Sequence, residues 1–192
     1  MPDLAYDLIM DQSAVHHMYF VAILCPDELD KKIFQFKQWM KEGFGCMVAK
    51  KSPAHITLIP PFWLEEEREK GLLQTLNNFQ TDMDELEIQL NGFSHFGKRV
   101  LFVRVNKNPG LEELKIQTEN HFCASFADSI KKDDRHFHPH VTIATRDIKP
   151  SHFMEAWEYF RNKQFTETFR VKTISLLKLS QGKWNVLSER SW

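Results

Sequence analysis

The chain has 192 residues and no disulfide framework: Cys25, Cys46 and Cys123 are odd in number and show neither paired nor zinc-type spacing. They are expected to be reduced thiols in a cytoplasmic protein. No apolar run approaches the roughly 20 residues that span a bilayer, so no membrane partner is expected. In the opening segment Met-Pro-Asp-Leu-Ala-Tyr-Asp-Leu-Ile-Met-Asp, acids interrupt the apolar residues and no basic stretch precedes them, a pattern unlike a signal peptide. A dominant charge is missing as well. Lys and Arg number 25 against 26 Asp and Glu, a formal −1, which argues against a protein that coats long nucleic acid. A nucleotide or short RNA end needs only a few local cations. No Gly/Ser linker divides the chain, so residues 1–192 are expected to form one integrated unit. No Gly-x-Ser-x-Gly elbow offers a serine nucleophile.

What is present is apolar bulk in regular periods. Hydrophobic residues make up 42%, with 16 Phe and 5 Trp, enough for a proper core. Residues 18–25 form a continuous apolar run ended by Pro26, which fits a strand buried on both faces. Leu29, Ile33, Phe36, Met40 and Phe44 then recur at helical spacing, with Gly43 and Gly45 at the end. The chain next reads as a strand from His55 that stops at Pro60-Pro61, and a helix over about 65–80. Two strands follow within 84–106, joined by a connection holding Gly92, Phe93, His95, Phe96 and Gly97. Pro109-Gly110 opens a helix bearing Leu111, Leu114, Phe122, Phe126 and Ile130. A strand at His140 follows, then a helix after Pro150 and two closing strands near 166–180 and 183–188. This is an α+β order with approximate internal duplication, and residues 1–15 are expected as an N-terminal arm.

The duplication carries chemistry. His55-Ile56-Thr57-Leu58 and His140-Val141-Thr142-Ile143 share one pattern. In a strand, alternate side chains share a face, so each copy presents an imidazole and a hydroxyl together. One His-x-Thr alone reads as an ordinary strand. Two copies in matching order, each preceded by proline (Pro53 and Pro139), point to a shared groove, because unpaired polar groups buried on such strands cost about 1–3 kcal/mol each. A metal site is a rival, since His136, His138 and His140 alternate; the first copy offers only one histidine and no nearby Cys, Asp or Glu at that spacing. No metal or cofactor is expected. Two imidazoles with a reference pKa of about 6.5 can take a proton from a nucleophile and give one to a leaving oxygen at neutral pH. The threonine hydroxyls can donate to phosphate oxygens.

These residues resemble the two-histidine (2H) phosphoesterase superfamily, and within it the branch of 2′-5′ RNA ligases, also called RNA 2′,3′-cyclic phosphodiesterases. The likeness extends to Tyr19–Pro26 as an opening strand, to Phe93–Val103 as a central hairpin, and to Arg135-His136-Phe137-His138-Pro139-His140-Val141-Thr142-Ile143-Ala144 around the second motif. It covers about residues 18–188. The resemblance implies a bilobal pseudo-two-fold α+β fold, two antiparallel sheets facing a central groove with helices outside. It implies His55, Thr57, His140 and Thr142 as catalytic residues, with His55 as acid and His140 as base. The implied activity is metal-independent opening of 2′,3′-cyclic phosphates on RNA or nucleotide ends to 2′-phosphates, with reversible 2′-5′ joining. Alternatives are a binding module without turnover, or a phosphodiesterase for another cyclic phosphate or 2′-5′ oligoadenylate. In the family a basic residue often follows the second motif directly, whereas here Thr145 intervenes before Arg146. Substrate contacts are expected from Phe62, Trp63, Phe96, Arg99, Phe137 and Arg146, the aromatics by stacking on a base. Because the duplication supplies both half-sites, a monomer is expected.

Overall fold

The computed structural model describes residues 14–132 and 135–192, so most of the expected N-terminal arm lies outside the described residues. The order is β1 (His16–Leu24), α1 (Asp27–Phe44), a 3₁₀ turn (Val48–Lys51), β2 (His55–Glu65), a second 3₁₀ turn (Glu66–Arg68), α2 (Glu69–Asn77), β3 (Leu86–Phe96) and β4 (Val100–Val105). It continues with α3 (Pro109–Phe126), β5 (His140–Thr145), α4 (Pro150–Arg161), β6 (Thr166–Val171), β7 (Thr173–Ser180) and β8 (Lys183–Ser191). Two four-stranded antiparallel sheets result, ordered β2-β1-β7-β8 and β5-β4-β3-β6. The orders are matched. Each His-x-Thr strand is an edge strand, and each pairs with a strongly apolar neighbour, β1 or β4.

Local chemistry explains the elements that carry the site. α1 begins after Pro26 with Asp27, Glu28 and Asp30 in its first turn, where acids favour the helix dipole. It ends at Gly45 (φ 71°), whose N–H donates to the Lys41 carbonyl. Asn108 caps α3 by accepting from the Leu111 N–H at 3.1 Å, ahead of Pro109. In β1, Tyr19, Val21 and Ile23 face the main core, while Phe20 and Ala22 belong to a smaller cluster with Leu177 on the opposite face. The main core also takes in Leu101, Val103, Val141 and Ile143 of the second sheet, so the apolar faces of both sheets join one cluster.

Several boundaries differ from the sequence reading. β2 does not stop at Pro60-Pro61 but runs to Glu65. The prolines are tolerated because β2 is an edge, and they sit where the ladder with β1 is irregular, between Ile59 opposite Val21 and Phe62 opposite Tyr19. β3 continues through the expected connection to Phe96, turning only at Gly97. Gly92 inside it has φ 65°, and a Cβ there would lie 2.9 Å from the Arg104 guanidinium, which donates to the Asn91 carbonyl at 2.9 Å. The second helix is shorter than 65–80, beginning as a 3₁₀ turn. The expected strand over 166–180 is two strands in different sheets: β6 pairs with β3, β7 with β1, and the chain crosses between them at Lys172.

Candidate active site

The two motifs are placed by the same local device. In the first ladder Ala22 faces Thr57 and Val21 faces Ile59, which leaves Leu58 as an extra residue. In the second, Phe102 faces Thr142 and Leu101 faces Ala144, leaving Ile143. Each strand thus bulges directly after its threonine, and a bulge bends the strand and re-aims its side chains. Leu58 with Ile59, and Ile143 with Ala144, all turn into the core, while His55, Thr57, His140 and Thr142 stay half-buried. β2 and β5 approach with Cα atoms within 8 Å.

The imidazoles are fixed alike. His55 Nδ1 lies 2.8 Å from the Pro53 carbonyl and His140 Nδ1 lies 2.7 Å from the His138 carbonyl. A carbonyl only accepts, so in both rings Nδ1 carries the proton and Nε2 is left as the basic nitrogen. The His55 ring packs against Phe20 at 4.8 Å, and the His140 ring against Phe102 at 4.9 Å and edge-on to Phe96 at 5.0 Å. Burial is the main reason that His55 titrates low, at about 4, and positive charge on Lys37 and His140 lowers it further; the bond to Pro53 offsets only part. His140 is also lowered, first by burial and then by His138, against its backbone bond. At neutral pH the free site therefore holds two neutral bases.

Helix α1 grips the lead-in to β2. Lys37, 2% exposed, donates from Nζ to the Ser52 carbonyl at 2.9 Å, and Asp30 Oδ1 accepts from the Ala54 N–H at 2.6 Å. The Cys25 N–H donates to the Ala54 carbonyl at 2.9 Å. Ser52 and Ala54 are thus held at backbone polar atoms on either side of Pro53, whose carbonyl fixes the imidazole. Burial pushes Lys37 down to about 8, with Asp30 opposing the shift.

A cavity of about 550 Å³ opens beside the motifs, with Thr57 and His140 in its wall. Phe96 and Phe137 also line it, as do Pro60, Pro61, His136 and His138. His136 and His138 precede β5 in irregular chain, not on a continuous strand face as their alternation suggests. Among the described residues no three His, Cys, Asp or Glu side chains are grouped to hold a metal ion. Phe62 is buried against Tyr19, with ring centroids 6.0 Å apart, and is not in this wall. Trp63 is also outside it. Arg99 and Arg146 lie at the far end of the β4–β5 ladder from His140, where the Arg146 N–H donates to the Arg99 carbonyl at 3.3 Å; both are exposed and neither lines the cavity.

Lys115 is the residue that sequence reasoning missed. It lines the cavity from α3 although 7% exposed, paired with Glu119 at 2.5 Å. The signal was its phase: Leu111, Lys115, Thr118 and Phe122 occupy one helical stripe, so a cation sits where the period calls for an apolar residue. Lys37 holds the same position on α1, between Ile33 and Met40.

A model of the 2′-5′ RNA ligase superfamily matches residues 25–183. The chain belongs to this superfamily. A protein of Geobacillus sp. (strain WCH70), provisionally named a phosphoesterase, is 28% identical over 139 residues, which are 70% of this chain and 75% of the relative. A counterpart from Geobacillus kaustophilus (strain HTA426) is 29% identical with the same coverage. Among solved structures, E. coli LigT complexed with 3′-AMP superposes with a TM-score of 0.66 at 20% identity, covering 92% of this chain and 98% of that one. A Thermus thermophilus protein gives a TM-score of 0.64 at 19% identity, covering 91% and 97%. The fold is that of the LigT-like 2H phosphoesterases, and superfamily and fold together support a phosphoesterase activity of that kind.

Proposed function

We propose that the chain opens 2′,3′-cyclic phosphates on RNA or nucleotide ends, leaving a 2′-phosphate, and reversibly joins a 5′-hydroxyl end to the same phosphorus in a 2′-5′ linkage, with His55, Thr57, His140 and Thr142 as its catalytic set. The carrying observation is the matched pair of imidazoles, each on an edge strand, each with Nδ1 tied to the carbonyl two residues back, and each lowered in pKa by burial and by neighbouring positive charge. That E. coli LigT has been crystallised with 3′-AMP and with ATP supports a nucleotide as ligand of this fold.

The arriving cyclic phosphate supplies what the free site lacks. Its negative charge favours protonation of an adjacent imidazole and so creates the acid beside the remaining base. His140 Nε2 takes a proton from water as the water oxygen bonds to phosphorus. The P–O3′ bond breaks, and protonated His55 delivers its proton to O3′, giving a 3′-hydroxyl and a 2′-phosphate. Thr57 and Thr142 donate hydrogen bonds to the non-bridging oxygens. Assayed on a 2′,3′-cyclic mononucleotide with chelator present, His55→Ala and His140→Ala each lose about 10²–10⁴-fold in turnover. Near-wild-type turnover in either variant overturns the assignment, as does activity abolished by chelator and restored by added metal.

A further inference from the structure

A second cleft of about 610 Å³ continues from the catalytic cavity, and the two share Pro60, Pro61 and Arg135 in their walls. Its lining differs in kind. Trp63 stands in it 57% exposed, an unusual position for so large an apolar ring. Lys131 and Lys132 line it with exposed side chains, and Lys132 Nζ donates to Asn120 Oδ1 at 2.6 Å. The acid in the lining, Asp128, is held by both terminal nitrogens of Arg68, at 2.5 and 3.0 Å, which keeps its carboxyl far below the usual carboxylate range and answers its charge. Asp133 and Asp134 follow Lys132 in the sequence and lie outside the described residues. An exposed indole beside lysines offers a stacking face and a phosphate-neutralising edge together, which is the chemistry of single-strand binding.

Continuity fixes which strand would lie there. Resting on the function proposed above, a 2′,3′-cyclic phosphate is a 3′ terminus, so every other nucleotide of the substrate extends to its 5′ side. The β1 partners of Thr57 and Trp63 are Ala22 and Met18, so the two lie about 13 Å apart along the sheet at strand rise, a span that calls for more than the terminal nucleotide. We propose that the Trp63–Lys131–Lys132 cleft is a binding site for the nucleotides 5′ of the reacting end, with a base stacked on Trp63 and backbone phosphates on the lysines. The preferred substrate is then an oligonucleotide end, not a cyclic mononucleotide.

The test compares kcat/KM on a trinucleotide ending in a 2′,3′-cyclic phosphate with kcat/KM on the corresponding cyclic mononucleotide, at low and moderate salt. The wild type favours the trinucleotide by about tenfold, and the advantage shrinks as salt rises. Trp63→Ala and the double variant Lys131→Glu/Lys132→Glu bring the ratio near one and leave the mononucleotide rate unchanged, while Trp63→Phe keeps most of the ratio. A wild-type ratio near one, or variants that keep the wild-type ratio, overturns the proposal. If the wild type turns over neither substrate, the catalytic reading fails by itself. The cleft is then judged by binding of the same trinucleotide in fluorescence anisotropy, where equal affinity for wild type and Trp63→Ala rejects it.

Discussion

With Nδ1 committed to a backbone carbonyl, each imidazole of the two motifs has one free nitrogen and one that fixes its orientation. That arrangement has a consequence for stability. His55 titrates at about 4 in the folded chain, below the roughly 6.5 of an unfolded histidine, so between these values the unfolded state binds more protons. The contribution is fully present above pH 6.5 and is lost as pH falls toward 4. In His55→Gln, the fall in denaturation midpoint between pH 7 and pH 4.5 is smaller than in the wild type; an equal fall in both chains would count against the buried neutral ring. The two histidines and threonines were readable from the sequence because the pattern recurs in matching contexts. Lys37 and Lys115 were not read, since a cation on an apolar helical stripe announces itself only when the stripe is checked position by position. Arg99 was misplaced for a different reason: its nearness in sequence to the apolar strand β4 says nothing about which end of that strand meets the groove.

At the scale of elements, α1 acts on the site through the segment it clamps. Lys37 braces the Ser52 carbonyl and also depresses His55. A free enzyme that needs one protonated and one neutral imidazole has its kcat/KM maximum between their two pKa values. Both histidines lie below their ordinary value, so the wild-type maximum falls below pH 6.5. In Lys37→Met the lost cation lets the His55 pKa rise, moving the limb that His55 controls to higher pH, whereas Lys37→Arg leaves it in place. A pH profile unchanged by Lys37→Met would sever the link. Helical periods gave α1 nearly to the residue, because an apolar stripe and its caps are local; α3 opens at Pro109 as expected but ends at Phe126, short of Ile130. The reach of β2 past two prolines was not legible. Whether a strand tolerates proline depends on whether it has one neighbour or two, and that is a property of the sheet.

The whole molecule is held together near the site by an acid. Asp147, in the turn after β5, accepts from the backbone N–H groups of Met47 at 2.5 Å and Val48 at 2.7 Å, tying the second half of the chain to the 3₁₀ turn that leads into β2. Asp147→Ala leaves two donors without this acceptor, at about 1–3 kcal/mol. Thermal unfolding should register roughly 2–4 °C for each kcal/mol in a chain of this size, and an unchanged Tm would show that the tie contributes nothing. The duplicated order of strands and helices was visible in the sequence. The final exchange was not: β6 completes one sheet and β7 with β8 the other, and no local pattern marks Lys172 as the crossing point. The placement of both His-x-Thr strands at sheet edges also bears on solubility. An edge lets two reactive strands approach across a groove, but its open N–H and C=O groups are a template for a second chain. Pro60 and Pro61, which carry no N–H, interrupt the donor row of the long strand β2, and β5 is only six residues long. The same prolines that line both clefts therefore guard the edge that carries the first motif against pairing with its own copies.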